Sequence, residues 1–227
     1  MDRKRVQAKL VRFWHSWGKM MLIAILAVTS FRSAIADWND VPTGSMRPTV
    51  LEGDRIFVNK LAYDLRVPFT TWQLARWDQP ERGDVVVFFS PLDDTRLVKR
   101  VVAVPGDVLS LRGNRLTING EQASYRPVAG DDDACPNEHR FIESVAGAQR
   151  AVQFTSRSPL LSTVPEITIP PGQYFMMGDN RCNSADSRVF GPVDMGCIVG
   201  RAGCVVLSVD HEHLFRPRWD RFFSALQ

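Results

Sequence analysis

Beyond residue 37 the apolar residues of this 227-residue chain fall in short runs separated by turn formers, a pattern of strands and not of long helices. The runs are DRIFVNKLAY (54–63), DVVVFFS (84–90), RLVKRVVAV (96–104), DVLSL (107–111), RLTING (115–120), QYFMMG (173–178), CIVGRA (197–202) and CVVLSVD (204–210). Each is rich in β-branched or aromatic residues and bounded by Gly, Pro, Asp or Asn, which predicts a mainly β body. Gly113-Asn114 and Asn119-Gly120 are two-residue hairpin turns, so residues 107–126 are expected to be consecutive antiparallel strands. Two stretches break the pattern. Residues 65–82 read as a polar, proline-flanked loop in which Trp72 and Trp77 pack into the core or, on a sharper reading, dip into a membrane surface. Residues 128–165, with an acidic run at 130–140, show little periodicity and read as a surface insertion.

Only one segment departs from the β pattern at the N-terminus. MMLIAILAVTSF (20–31) is uncharged, and extended back over two tryptophans it gives a 19-residue span, 13–31. Residues 1–19 carry six cations against Asp2, so this head is +5 in a chain of net +3. Positive charge beside an apolar run points to a membrane-topology signal and away from nucleic acid, for which no binding module is present. Two readings stand: a retained anchor, or a cleavable leader ending at Ala34-Ile35-Ala36. Both put residues 37–227 outside the cytoplasm, where Cys135, Cys182, Cys197 and Cys204 can pair. None stands in a C-x-x-C motif, and neither a metal nor a cofactor is expected.

The stretch VPTGSMRPTV (41–50) holds Ser45 between glycine and methionine in a stiff, apolar setting. A serine needs a base to become a nucleophile. His211 and His213 lie near the chain end, His139 lies by the acidic insertion, and no G-x-S-x-G elbow occurs. Lys99 remains: strand alternation aims it with Leu97, Val101 and Ala103 along an apolar face. A lone edge strand would carry such a lysine against aggregation. Burial instead would depress its pKa enough to make it a base.

Four blocks, PTGSMRPT (42–49), RGDVVVF (82–88), KRVVAVPGD (99–107) and GDNRCNSADSR (178–188), resemble in order and character the boxes of bacterial type I signal peptidases. The resemblance implies an antiparallel β-sheet body with a small inserted β-rich subdomain (108–171), preceded by one N-terminal transmembrane helix. It implies Ser45 as nucleophile and Lys99 as general base. Thr43, where the family usually has serine, would join the Ser45 N–H as oxyanion donor. Ser184 would orient the lysine amine, and Asp186 and Arg188 would form an ion pair supporting the loop. Cys182 stands where aspartate is common and Leu97 where an aromatic is frequent. A Cys182–Cys197 disulfide bracing the loop, or two free thiols, are both open. The resemblance favours the anchor: residues 1–36 as basic head and membrane anchor, 37–227 as the extracytoplasmic catalytic domain of a single-pass inner-membrane protein.

The implied partners are exported preproteins, cut after Ala-x-Ala-type sites, together with membrane lipid and no nucleic acid. Val41, Met46, Val50, Ile56 and Val98 flank the pair and are the expected lining of two shallow apolar pockets, with core packing as the plainer alternative. An extended peptide would add as a strand beside 41–44 or 95–99. The other readings are a relative dedicated to one pilin or conjugation protein, an inactive exported peptide-binding β-domain, or a self-cleaving repressor of related fold; the last lacks DNA-binding helices.

Overall fold

The computed structural model describes residues 17–70, 72–128, 138–155, 161–210 and 215–226. The expected span at 13–31 begins outside these, as do His211, His213 and Cys135. One helix, α1 (Lys19–Ala34), leads into the body. At 1.5 Å per residue it is about 24 Å long, and among the described residues no helix is long and apolar enough to cross a membrane. Its apolar residues are exposed on every side, Met20, Ile23 and Val28 by 60–70%.

The body is built from β1 (Ala36–Asp40), β2 (Asp54–Asn59), β3 (Asp64–Arg66), β4 (Gln73–Arg76), β5 (Val85–Phe89), β6 (Arg96–Ala103), β7 (Val108–Arg112), β8 (Arg115–Ile118) and β9 (Glu121–Gln122). It continues with β10 (Ser124–Pro127), β11 (Glu138–Val145), β12 (Ala148–Thr155), β13 (Val164–Thr168), β14 (Gln173–Met177), a helical turn α2 (Ser187–Phe190), β15 (Val193–Asp194), β16 (Ile198–Asp210) and β17 (Arg216–Pro217). The main antiparallel sheet runs β1-β2-β16-β5-β6-β14-β15, with β17 on β16. Two smaller sheets, β10-β11-β12 and β13-β7-β8-β9, arise between β6 and β14.

Both hairpin turns form as their sequences require, with positive φ at Gly113, Asn114, Asn119 and Gly120. The runs at 197–202 and 204–210 are one strand. β16 pairs with β2 and β5, its register shifting at Val199 against β5 and at Gly203 against β2. The insertion is less irregular than its sequence, because 138–155 is a hairpin whose partners match residue for residue. Trp72 and Trp77 flank β4 in the small β3-β4 ribbon and are 74% and 53% exposed, so the core reading of this loop is wrong.

Three apolar clusters organise the body. Val41, Met46, Val50, Ile56, Val58, Val85, Val87 and Val205 form one; Val86, Phe88, Val101, Tyr174, Met176 and Ile198 form a second. A third joins Val102 and Ala103 of β6 and Phe175 and Met177 of β14 to Leu109, Leu111, Leu116 and Ile118 of the smaller sheets. The insert is thus packed onto the main sheet through β6 and β14, the strands that carry the site. At about 1.5–3 kcal/mol per buried aliphatic side chain, such a seam holds these strands firmly.

Candidate active site

Ser45 lies in a 3-10 turn, Gly44–Met46, entered from an extended Thr43. Met46 is fully buried and ties the turn to the first cluster. From the other side Asn180 grips the turn, its Nδ2 donating to the Gly44 carbonyl and its backbone N–H to the Ser45 carbonyl, each at 3.1 Å. The Arg47–Glu52 pair passes over Gly44, and a Cβ there would displace the Glu52 carboxylate, the far end of a flexible side chain. The serine is therefore held by its backbone, leaving its side chain free to react. The Ser45 N–H, at the start of so short a turn, has no partner within it.

Lys99, in β6, is 3% exposed, and its Nζ is 2.7 Å from Ser45 Oγ. Burial lowers its pKa to about 8, against the opposing pull of Asp186 and Asp179 and with some help from Arg188. The apolar face expected around it is divided: Leu97 and Val101 pack in the second cluster and Ala103 in the third.

Around this pair run ionic contacts. Arg100 donates from Nε and Nη2 to the two oxygens of Asp179 at 2.9 and 2.8 Å, and both side chains are 2% exposed. Thr49 Oγ1 donates to the same carboxylate at 2.5 Å. Asp186 and Arg188 form a bidentate pair, 2.8 Å on each oxygen, with fully buried side chains. Asp186 also accepts the Gly178 N–H at 2.9 Å. A Cβ on residue 178 would collide with Ser184 Oγ and the Ser45 carbonyl, so glycine there lets the loop close on the serine turn. Farther out, Glu143 of β11, fully buried, accepts from Arg181 at 2.6 and 2.7 Å, from Arg150 at 2.5 Å and from Tyr125 at 2.8 Å. Burial raises the Glu143 carboxyl, but the two arginines outweigh it and hold it at about 2.

The structure brings Ser45 and Lys99 together and pairs Asp186 with Arg188. Thr43 adjoins the serine, is exposed, and makes no capping hydrogen bond. Ser184 is buried, yet its hydroxyl has no hydrogen-bond partner, so the bond expected to Lys99 is not formed here. Met46, Val50 and Ile56 have no exposed surface and pack in the first cluster, as the plainer core reading of them has it. Val41 is 5% exposed and Val98 partly buried in the same cluster. Cys182 and Cys197 are free thiols, the second of the two open readings, and the arginine pairs brace the loop. Sequence reasoning missed Glu143, Arg150, Thr49 and the Arg100–Asp179 pair. The alternation that aimed Lys99 one way aimed Arg100 the other, and that was the available signal for a buried cation in need of a carboxylate.

Residues 14–207 match the family model described as "Signal peptidase, peptidase S26". Signal peptidase I of Pseudomonas fluorescens is 33% identical over 204 residues, covering 85% of this chain and 72% of the relative. The Pseudomonas aeruginosa enzyme of that name is 34% identical with the same coverage. A crystal structure of a signal peptidase I from Enterococcus faecalis overlaps 55% of this chain and 97% of its own at a TM-score of 0.37 and 28% identity.

Proposed function

Because the chain belongs to the signal peptidase family, peptidase S26, and is a peptidase, we propose that it is a membrane-tethered serine endopeptidase that removes signal peptides from exported preproteins. The observation that carries the reading is a buried Lys99 amine 2.7 Å from the Ser45 hydroxyl. With a pKa near 8, about one-tenth of this lysine is neutral at pH 7; an ordinary lysine would be neutral in under about one molecule in a thousand.

In the proposed cycle neutral Lys99 takes the Ser45 proton as Oγ attacks the scissile carbonyl. The Ser45 N–H and the Thr43 hydroxyl receive the developing oxyanion. As the C–N bond breaks, the lysine ammonium gives its proton to the leaving amine. Water then attacks the acyl-enzyme with Lys99 again as base. Ser184, an unpaired buried oxygen in the same loop closure, is the proposed acceptor for the ammonium.

Substrate would enter extended. β14 pairs with β6 only at Arg100, Val101 and Ala103, so the edge of β6 at 97–99 carries no strand among the described residues. Among the described residues β1 likewise pairs only with β2. These two edges supply backbone partners regardless of substrate sequence, and small-residue selection falls to the surfaces beside Val41 and Val98. The proposed organisation is 1–36 as basic head and anchor and 37–227 as the extracytoplasmic body, with 108–171 inserted. A helix apolar on every face, as α1 is, suits lipid and not water.

The test is cleavage of a purified Ala-x-Ala preprotein by wild-type, Ser45→Ala and Lys99→Met proteins, with the new N-terminus sequenced. Cleavage by wild-type alone, after the small residue, is the expected result. Full activity in either variant overturns the mechanism, and activity confined to one pilin-type precursor would mark a dedicated enzyme.

A further inference from the structure

Ala34-Ile35-Ala36 has the small-x-small form expected of the substrate, and it lies where α1 passes into β1. A protease of the proposed kind needs the residues before the scissile bond extended and unpaired, so that they can lie against its own strand edges. Here Ala34 and Ile35 are helical, and Ala36, though extended, is paired. Ala34 is the last residue of α1 and 7% exposed. The Ile35 N–H donates to the Phe31 carbonyl at 2.9 Å, and the Ile35 carbonyl accepts the Lys60 N–H at 3.0 Å. Ala36 and Asp37 are paired with Asn59 and Val58 of β2.

Side chains add a second layer. Lys60 Nζ donates to the carbonyls of Arg32 and Ser33 at 2.8 and 3.2 Å, closing the end of α1 as a C-terminal cation does. The same ammonium stands 3.5 Å from Asp37, as does Arg96. Arg32 donates to Asp37 at 2.8 Å, and the carboxylate also takes the Trp38 N–H at 3.0 Å. Burial pushes the Asp37 carboxyl up, but Arg32, the Trp38 N–H and Lys60 prevail and hold it below the usual carboxylate range.

We propose that the Ala36–Asp37 bond is a latent processing site for a second copy of this chain, and that Lys60, Arg32 and Asp37 form a latch that withholds it. The inference rests on the peptidase reading above. Opened, the Ala36 carbonyl carbon would bond to Ser45 Oγ of the attacking copy. The C–N bond to Asp37 would break with the Asp37 amine taking a proton, and water would then release the Ala36 carboxylate. The product is a body beginning at Asp37, parted from the basic head. Reaching that state requires unwinding the last turn of α1 and lifting the start of β1 from β2.

The experiment uses the purified full chain in detergent, incubated with a preprotein, as wild-type, Lys60→Gln and Arg32→Gln, each also in a Ser45→Ala background. Arg32, 44% exposed at its side chain, tests the latch with little risk to folding. Wild-type is expected to cut the preprotein and keep its own N-terminus. Both variants are expected to yield chain starting at Asp37 at least about 10-fold faster, the loss of charge-assisted hydrogen bonds being of that order, and the Ser45→Ala forms none. Self-cleavage in wild-type as fast as preprotein cleavage overturns the latch, as do equal rates in wild-type and variants. If wild-type leaves the preprotein intact, the peptidase reading fails; amide hydrogen exchange at residues 35–40 in the Ser45→Ala background then decides the latch. Exchange at least about 10-fold faster in Lys60→Gln upholds it, and unchanged exchange overturns it.

Discussion

Lys99 and Arg100 are neighbours in β6, 3% and 1% exposed, and their fates differ. The guanidinium of Arg100 meets both oxygens of Asp179, the Thr49 hydroxyl and the Gly83 carbonyl. The amine of Lys99 meets one neutral oxygen, Ser45 Oγ. Burial against a bonded counter-charge keeps a cation charged; burial without one makes its proton easier to lose. Asp179 and Asp186 are close enough to pull Lys99 toward protonation, yet each already faces its own arginine. The arginines paired with Asp179 and Asp186 thus have two effects: they hold the loop's shape, and they weaken the pull of its carboxylates on the Lys99 proton.

The largest expected effect falls on the lysine side. Ser45→Ala, Lys99→Met and Lys99→Arg should each lower kcat by about 10⁴-fold or more while circular dichroism stays unchanged; a Lys99→Arg enzyme with measurable turnover would erase the distinction between the two cations. On the arginine side, Arg100→Ala or Asp179→Ala leaves a buried charge alone and should lose about 3–5 kcal/mol in urea unfolding. Lys99→Met should move stability the opposite way. The lysine falls from 10.5 unfolded to about 8 folded, so its protonation opposes folding by about 3 kcal/mol below pH 8. Between pH 8 and 10.5 the unfolded chain binds the extra proton, and wild-type stability rises until it meets that of the variant. Wild-type kcat/KM should climb through about pH 8 for the same reason. Smallest is Thr43→Val, expected to lower kcat by about 10²-fold with KM little changed, read from initial rates on a peptide substrate.

Much of this contrast was readable in advance from period-two alternation, which separates residues 99 and 100, and from the glycine-asparagine pairs that set β7, β8 and β9. Hydrophobic pattern failed where polar residues point inward. Glu143, Arg150 and Gln153 are buried on β11 and β12, so that hairpin shows no apolar stripe, and its turn is Ala146-Gly147 and not an asparagine pair. Gly203 read as a break between the runs at 197–202 and 204–210 because a bulge and a loop look alike without the partner strand. Trp72 and Trp77 misled through size: a large ring is taken as core unless the surface it faces is known. The thiols at 182 and 197 are free, and two of the ion pairs that brace the loop, Arg181–Glu143 and Arg100–Asp179, join residues distant in sequence.

Glu143 stands on the hairpin most easily mistaken for dispensable. Anyone trimming the chain to a minimal enzyme would cut there first, at a segment remote from Ser45 in number. The truncated protein would lose the anion to which Arg181 is fastened. It would still possess Ser45 and Lys99, and the loop that grips the serine turn would have come adrift.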